Sequence, residues 1–232
     1  HSQRMEIKLA MTEFEEKTCI RFVPRSDETD YIIIRSEMGL VFSFLTCFSP
    51  VGRRGGQQLV SIGPGCDRKG TIMHELMHAL GFWHEHSRPD RDSYITIAWD
   101  NIPEDHKSNF RKYTEEDIDT LGAPYDYGSI MHYKNNTFAN DRFKPTIKSK
   151  FPLPDGVEMG QRIELSDTDI LKVNRLYRCS KYVNLLSKYV LFNNVRGGGG
   201  RSALNPLLPV LSFLEFYPKT ISYSLMRSLI GI

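Results

Sequence analysis

The sequence predicts an α+β fold, on three observations. Ile7, Ala10, Met11 and Phe14 recur at i, i+3, i+4 and i+7, an apolar stripe that a helix over 4–17 would bury. Cys19–Val23, Tyr31–Arg35 and Gln57–Ile62 are short runs of strand-forming residues. A second helix opens at Gly70-Thr71, runs to Leu80 and turns Ile72, Met73, Leu76, Ala79 and Leu80 inward. In the first helix Glu13, Glu15, Glu16 and Lys17 are expected to face water. Pro24 ends the first strand, because it has no amide for a ladder. Tyr94–Ile97 reads as a short extended piece, and 102–113 as mixed helix and loop. Ser166-Asp167-Thr168-Asp169 is a capping box opening a last helix, with Ile170, Val173 and Tyr177 buried and Cys179 at its end.

The chain has 232 residues, 40% of them hydrophobic, enough for one core or two lobes of one domain. Thirty basic residues against 28 acidic ones leave a net charge of +2, which argues against nucleic acid or an anionic membrane as partner. No run of about 18 apolar residues occurs, so no membrane span is expected. The four cysteines, Cys19, Cys47, Cys66 and Cys179, form no Cys-x-x-Cys. Their even number fits two disulfides, with three connectivities open, and points to an oxidising compartment.

The chemistry is written in His74-Glu75-Leu76-Met77-His78-Ala79-Leu80-Gly81-Phe82-Trp83-His84. Four residues apart on a helix, His74 and His78 stack about one turn (~5.4 Å) apart and can reach one metal ion. Gly81 stops the helix, because glycine turns left-handed without steric cost, and the chain doubles back to supply His84. Three protein ligands leave a position open for water, the pattern of a catalytic rather than a structural zinc. Glu75, beside the first ligand, can take a proton from that water. Downstream, Ser129-Ile130-Met131-His132-Tyr133 supplies a Met-turn. Asn135-Asn136-Thr137 is a glycosylation acceptor sequence in a secreted chain.

The run His74–Asp92, the Met-turn, Gly52–Gln58 (GRRGGQQ) and the four cysteines together resemble the astacin family of zinc metalloendopeptidases, within the metzincins, over residues 4 to about 180. The resemblance implies a two-lobed, zincin-like catalytic domain. A mixed sheet and two long helices form the upper lobe, and an irregular lower lobe with a C-terminal helix lies below a horizontal cleft. It implies one Zn2+ per chain on His74, His78 and His84, with Tyr133 as a further ligand that swings off to help hold the oxyanion. Glu75 is the expected general base on a metal-activated water, Met131 an apolar floor, and extended polypeptide the substrate. The implied disulfides are Cys19–Cys179 and Cys47–Cys66, and the implied location is secreted. The strand over Gln57–Ile62 would rim the cleft, and Lys150 or Lys148 would favour an acidic residue after the scissile bond. His86, His106 and His132 are expected to be surface or supporting residues.

Three features depart from the family pattern. Residues 1–180 read as a peptidase domain short of the usual first strand, which would leave Glu85 without its amino-terminal partner. An apolar stretch, Leu40–Thr46, intervenes before Cys47. Residues 181–232 read as a tail of no assigned structure or function, with a glycine linker at 197–200. The competing reading from another class is an inactive binding module of the same fold, whose expected sign is loss of a ligand or of Glu75.

Overall fold

The computed structural model of the chain describes residues 2–35, 47–179 and 221–225; Leu40–Thr46 lies outside them. The first expected helix is α1 (Ser2–Lys17), with Ile7, Ala10, Met11 and Phe14 all buried. Glu13, expected in water, is instead buried. Its carboxylate accepts from Lys69 Nζ at 2.8 Å, Lys17 Nζ at 3.1 Å and the Leu165 amide at 2.8 Å. Burial alone would raise its pKa, but these donors outweigh that and leave it lowered.

One sheet runs in the order β1 (Phe22–Pro24), β6 (Ile221–Leu225), β2 (Tyr31–Arg35), β3 (Gln57–Ser61). β2 and β3 are parallel, in register from Tyr31 opposite Gln57 to Arg35 opposite Ser61, and β6 is antiparallel to both its neighbours. The sheet is therefore mixed. Pro24 is the last residue of β1, the end at which the sequence places it, and β1 is an edge strand, where proline is tolerated. β6 comes from the tail for which no structure is expected from sequence. It sits between two strands that both hydrogen-bond to it, which a sequence pattern alone does not reveal.

α2 (Lys69–Ala79) packs on α1. With the sheet, the two helices bury a first cluster that includes Phe14, Ile34, Val60, Ile72, Met73, Leu76 and Met77. A second cluster holds Ile95, Ile97, Ile102, Phe110, Tyr125, Ile147 and Met159. It is built on a two-stranded sheet of β4 (Ile95–Ile97) and β5 (Ile147–Ser149). Two cores, one per lobe, realise the α+β two-lobed plan. α3 (Asp167–Leu176) starts at the expected capping box, with Ser166 Oγ accepting from the Asp169 amide at 3.0 Å and the reciprocal bond at 3.1 Å. Its Val173 enters the first cluster. Cys19 is bonded to Cys179 and Cys47 to Cys66, the pairing the resemblance implied. No helix among the described residues is long and apolar enough to cross a membrane.

Gly70 shows how closely α2 is seated. A Cβ there would fall 1.9 Å from the carbonyl oxygen of Arg162 and 2.1 Å from its carbon. Because both are backbone atoms, Gly70→Ala is expected to destabilise the chain by about 1–3 kcal/mol. The urea midpoint measures this, and an unchanged midpoint would count against the packing described.

Candidate metal centre and cleft

Three imidazoles meet because of one helix and one glycine. The i, i+4 spacing on α2 leaves the rings of His74 and His78 4.7 Å apart, edge to face. Gly81, at φ +107°, reverses the chain. Its amide and that of Gly52 both donate to the His78 carbonyl, at 2.9 and 2.8 Å, and Phe82 N reaches Met77 O at 3.0 Å. The reversal delivers His84, whose ring lies 5.2 Å from His74 and 4.7 Å from His78. The Met-turn closes the site from below: Glu85 N donates to Met131 O at 3.0 Å. Met131 is buried within the first cluster.

Hydrogen bonds set which ring nitrogen faces inward. His74 Nδ1 lies 2.8 Å from Ile130 O, and His78 Nδ1 lies 2.8 Å from Phe82 O. A carbonyl only accepts, so each Nδ1 carries the hydrogen and each Nε2 keeps its lone pair. The three Nε2 atoms converge: His84 Nε2 is 3.2 Å from His78 Nε2 and 3.3 Å from His74 Nε2. Acceptors so placed repel one another unless a cation sits among them. Burial pushes the pKa of His78 down to about 4 and those of His74 and His84 well below the usual value, so all three are neutral and ready to ligate. Three neutral imidazoles with converging Nε2 atoms fit Zn2+.

Glu75 lies on the same helix, 4% exposed, and its Oε2 has no hydrogen-bond partner among the described residues. Burial raises its pKa to about 8, against the opposing pull of the Arg162 guanidinium. Tyr133 is half-buried, its ring 4.5 Å from that of His84 and stacked 4.0 Å from that of His86. Burial raises its pKa to about 12. His74, Glu75, His78, His84 and Tyr133 all line one cleft of about 430 Å³, to which Cys47–Ser49 and Val51 also contribute.

The other histidines support the site. His86 Nε2 bonds to Asn109 O at 3.0 Å, and His132 is held between the Tyr125 hydroxyl at 2.8 Å and the Tyr133 carbonyl at 2.7 Å. His106 stacks on Phe138 at 4.6 Å. Burial holds the folded-state pKa of His86 near 3 and of His132 near 4, against 6.5 for a free imidazole. As pH falls below 6.5 the unfolded chain takes up protons that the folded chain refuses. Stability is therefore expected to fall between about pH 6.5 and pH 4, by on the order of 3 kcal/mol for each residue. Urea midpoints that stay level from pH 7 to pH 4.5 would contradict this.

Glu85, expected to lack an amino-terminal partner, is held by other groups. Its carboxylate accepts from Lys172 Nζ at 2.5 Å, Arg88 Nη1 at 3.2 Å and the Asp126 amide at 3.0 Å. Lys172, Arg88 and Glu85 are each under 10% exposed. Sequence reasoning missed Lys172 and Arg88. Arg88 has a local acid in Asp90, which it also binds at 2.8 and 2.9 Å, so nothing in the sequence pointed it or Lys172 to Glu85. Asp169, also missed, is fully buried and holds the Met-turn through Ser129 Oγ at 2.6 Å and Ile130 N at 2.8 Å. The two lysines that the resemblance offers for specificity are not among the residues lining this cleft. Lys148 is exposed on β5, and Lys150 gives its ammonium to the Asp92 carbonyl.

Known proteins agree with this geometry. The family model for Astacin, a peptidase family, matches residues 1–178. The chain is 50% identical over 177 residues to the astacin-like metalloendopeptidase of Gallus gallus, covering 75% of this chain and 40% of that protein. It is 47% identical over 180 residues to zinc metalloproteinase nas-13 of Caenorhabditis elegans, covering 77% and 38%. The chain thus spans about two fifths of these relatives. Among solved structures, high choriolytic enzyme 1, a hatching enzyme zinc-protease from Oryzias latipes, matches with a TM-score of 0.68 at 45% identity, over 76% of this chain and 83% of that one. Both the sequence match and the converging histidines lead to one conclusion: the chain belongs to the astacin family of metallopeptidases.

Proposed function

We propose that this chain is a zinc-dependent endopeptidase that hydrolyses extended polypeptides with Glu75 as general base. The observation that carries the reading is three converging Nε2 atoms and, in the same cleft, a Glu75 Oε2 without a hydrogen-bond partner among the described residues. Zinc held by His74, His78 and His84 supplies a Lewis acid that polarises the scissile carbonyl and lowers the pKa of water.

The chain's own residues do the rest. The Glu75 carboxylate, made more basic by burial, takes the proton of the attacking water and passes it to the departing amine. Tyr133, with a pKa near 12, keeps its hydroxyl proton at neutral pH and offers it to the carbonyl oxygen as that atom gains charge. It is also the proposed further zinc ligand before substrate arrives. β3, last in the sheet order, is the strand along which a substrate would lie extended. The inactive-module reading has no support, since His74, His78, His84 and Glu75 are all present.

Digestion of an unfolded protein by the chain, with products sequenced by mass spectrometry, tests the reading. Internal cuts that cease with a zinc chelator are expected; removal of terminal residues only, or intact substrate, would refute it. The proposed location is extracellular, which the two disulfides favour. Asn135 of the acceptor sequence is exposed on a turn. Secreted from eukaryotic cells, the chain is expected to carry a glycan there. A gel shift removed both by glycosidase and by Asn135→Gln would show it, and an unshifted band would contradict it.

A further inference from the structure

We propose that His86 and Phe138 are positioning residues for the reaction: their rings form a cradle that fixes the ring of Tyr133 and so aims its hydroxyl at the substrate. The proposal rests on the role given to Tyr133 above and deepens it.

Neither His86 nor Phe138 is among the residues lining the cleft, whereas Tyr133 is. A polypeptide lying in the cleft therefore meets them only through Tyr133. The His86 ring is stacked on that of Tyr133 at 4.0 Å, with 30° between the planes. Phe138 and Phe110 meet it edge to face, each at 5.9 Å, with 68° and 85° between the planes. His84, one of the three converging histidines, lies on it at 4.5 Å, tilted by 55°. Stacked and edge-to-face contacts are the arrangements aromatic rings prefer, and four of them leave the tyrosine little freedom to turn. The stacked wall is itself anchored. His86 is fully buried, its Nε2 bonds to Asn109 O at 3.0 Å, and its ring lies 5.6 Å from that of Phe110. Its Nδ1 is buried with no hydrogen-bond partner among the described residues. Leaving a polar atom so costs stability, and the contact the ring gains instead is through its face.

Phe138 adds an independent observation. Its φ is +56°, a left-handed conformation that a bulky side chain rarely adopts. The strain is imposed from both sides. Thr137 O accepts from Thr146 Oγ1 at 2.8 Å, and the Asn140 amide donates to Asn101 O at 2.9 Å. The ring is 38% exposed, so burial alone is a weak reason to hold a phenylalanine in a strained backbone. What the conformation achieves is placement. It stacks the ring 4.6 Å from His106 and sets its edge against Tyr133 and Phe110. A hydroxyl that must meet a carbonyl oxygen as charge develops there gains from such fixing, because a displacement of about 1 Å can lower a rate about a hundredfold.

The test is a double-mutant cycle with Tyr133→Phe, which keeps the ring and removes the hydroxyl. kcat and KM for one quenched peptide are measured for His86→Ala, His86→Phe and Phe138→Asn, alone and combined with Tyr133→Phe. Tyr133→Phe alone is expected to lower kcat by about a hundred- to a thousand-fold and to leave KM nearly unchanged. His86→Ala and Phe138→Asn should each lower kcat by about tenfold to a hundredfold. In the Tyr133→Phe background the same changes should cost no more than about twofold. His86→Phe, which keeps a ring in place, should recover most of the loss. Asparagine accepts the left-handed region, so Phe138→Asn should lose kcat with a Tm within about 4 °C of wild type. Equal losses with and without the Tyr133 hydroxyl would show a merely structural role and overturn the proposal. So would single variants within about twofold of the wild-type kcat. If His86→Ala does not fold, Phe138→Asn alone completes the cycle. A wild-type kcat in Tyr133→Phe would instead remove the role of Tyr133, and a wild type that cleaves no peptide would remove the endopeptidase reading; the cradle falls with either.

Discussion

Replacement of Glu75 by Gln is expected to lower kcat/KM for peptide cleavage by about a hundred- to ten-thousand-fold while leaving zinc bound. The amide introduced by Glu75→Gln would keep the shape of the side chain but could not accept the proton that the attacking water must lose. The ligands should be untouched. His74 and His78 are oriented by the carbonyls of Ile130 and Phe82, not by Glu75. Glu75 Oε2 has no partner among the described residues to leave behind, so folding should change little. Metal analysis beside steady-state kinetics separates the two effects. Activity within about tenfold of wild type would remove Glu75 from the base role.

The second large effect is expected at Lys172. Lys172→Met would leave Glu85 and Arg88 buried with a broken network, a change worth about 3–5 kcal/mol in comparable buried pairs. The loss should appear as a fall in Tm and in the urea midpoint. It should reach the metal centre too. Glu85 follows His84 directly, and its amide bonds to the carbonyl of Met131, so a shifted Glu85 disturbs a ligand and the Met-turn together. Zinc affinity is expected to fall about tenfold to a hundredfold. Adding Glu85→Gln to Lys172→Met removes the uncompensated charge and should recover part of the stability. Full stability in Lys172→Met would mean that the pair contributes nothing.

The legible parts of this molecule are those whose determinants lie close together along the chain. His74 and His78 share one helix turn and His84 follows a glycine reversal, so the three converging histidines are fixed within eleven residues of sequence. The apolar stripe of α1 and the capping box of α3 are equally local. What the sequence concealed depends on distant partners. Lys172 meets Glu85 across 87 residues, and Glu13 meets the Leu165 amide across 152. No periodicity encodes such meetings, so Glu13 looks like a solvated charge and Glu85 like an unpartnered one. β6 joins the sheet only through long-range pairing with β1 and β2. Lys150 likewise bonds to a carbonyl, that of Asp92, 58 residues away in sequence.

Zinc titration of the chelated chain, with peptide cleavage read at each addition, tests the central claim most directly. Cleavage should be absent without metal, rise in proportion to added zinc and level off at one zinc per chain. Full zinc occupancy without cleavage, or cleavage by the metal-free chain, would contradict the account.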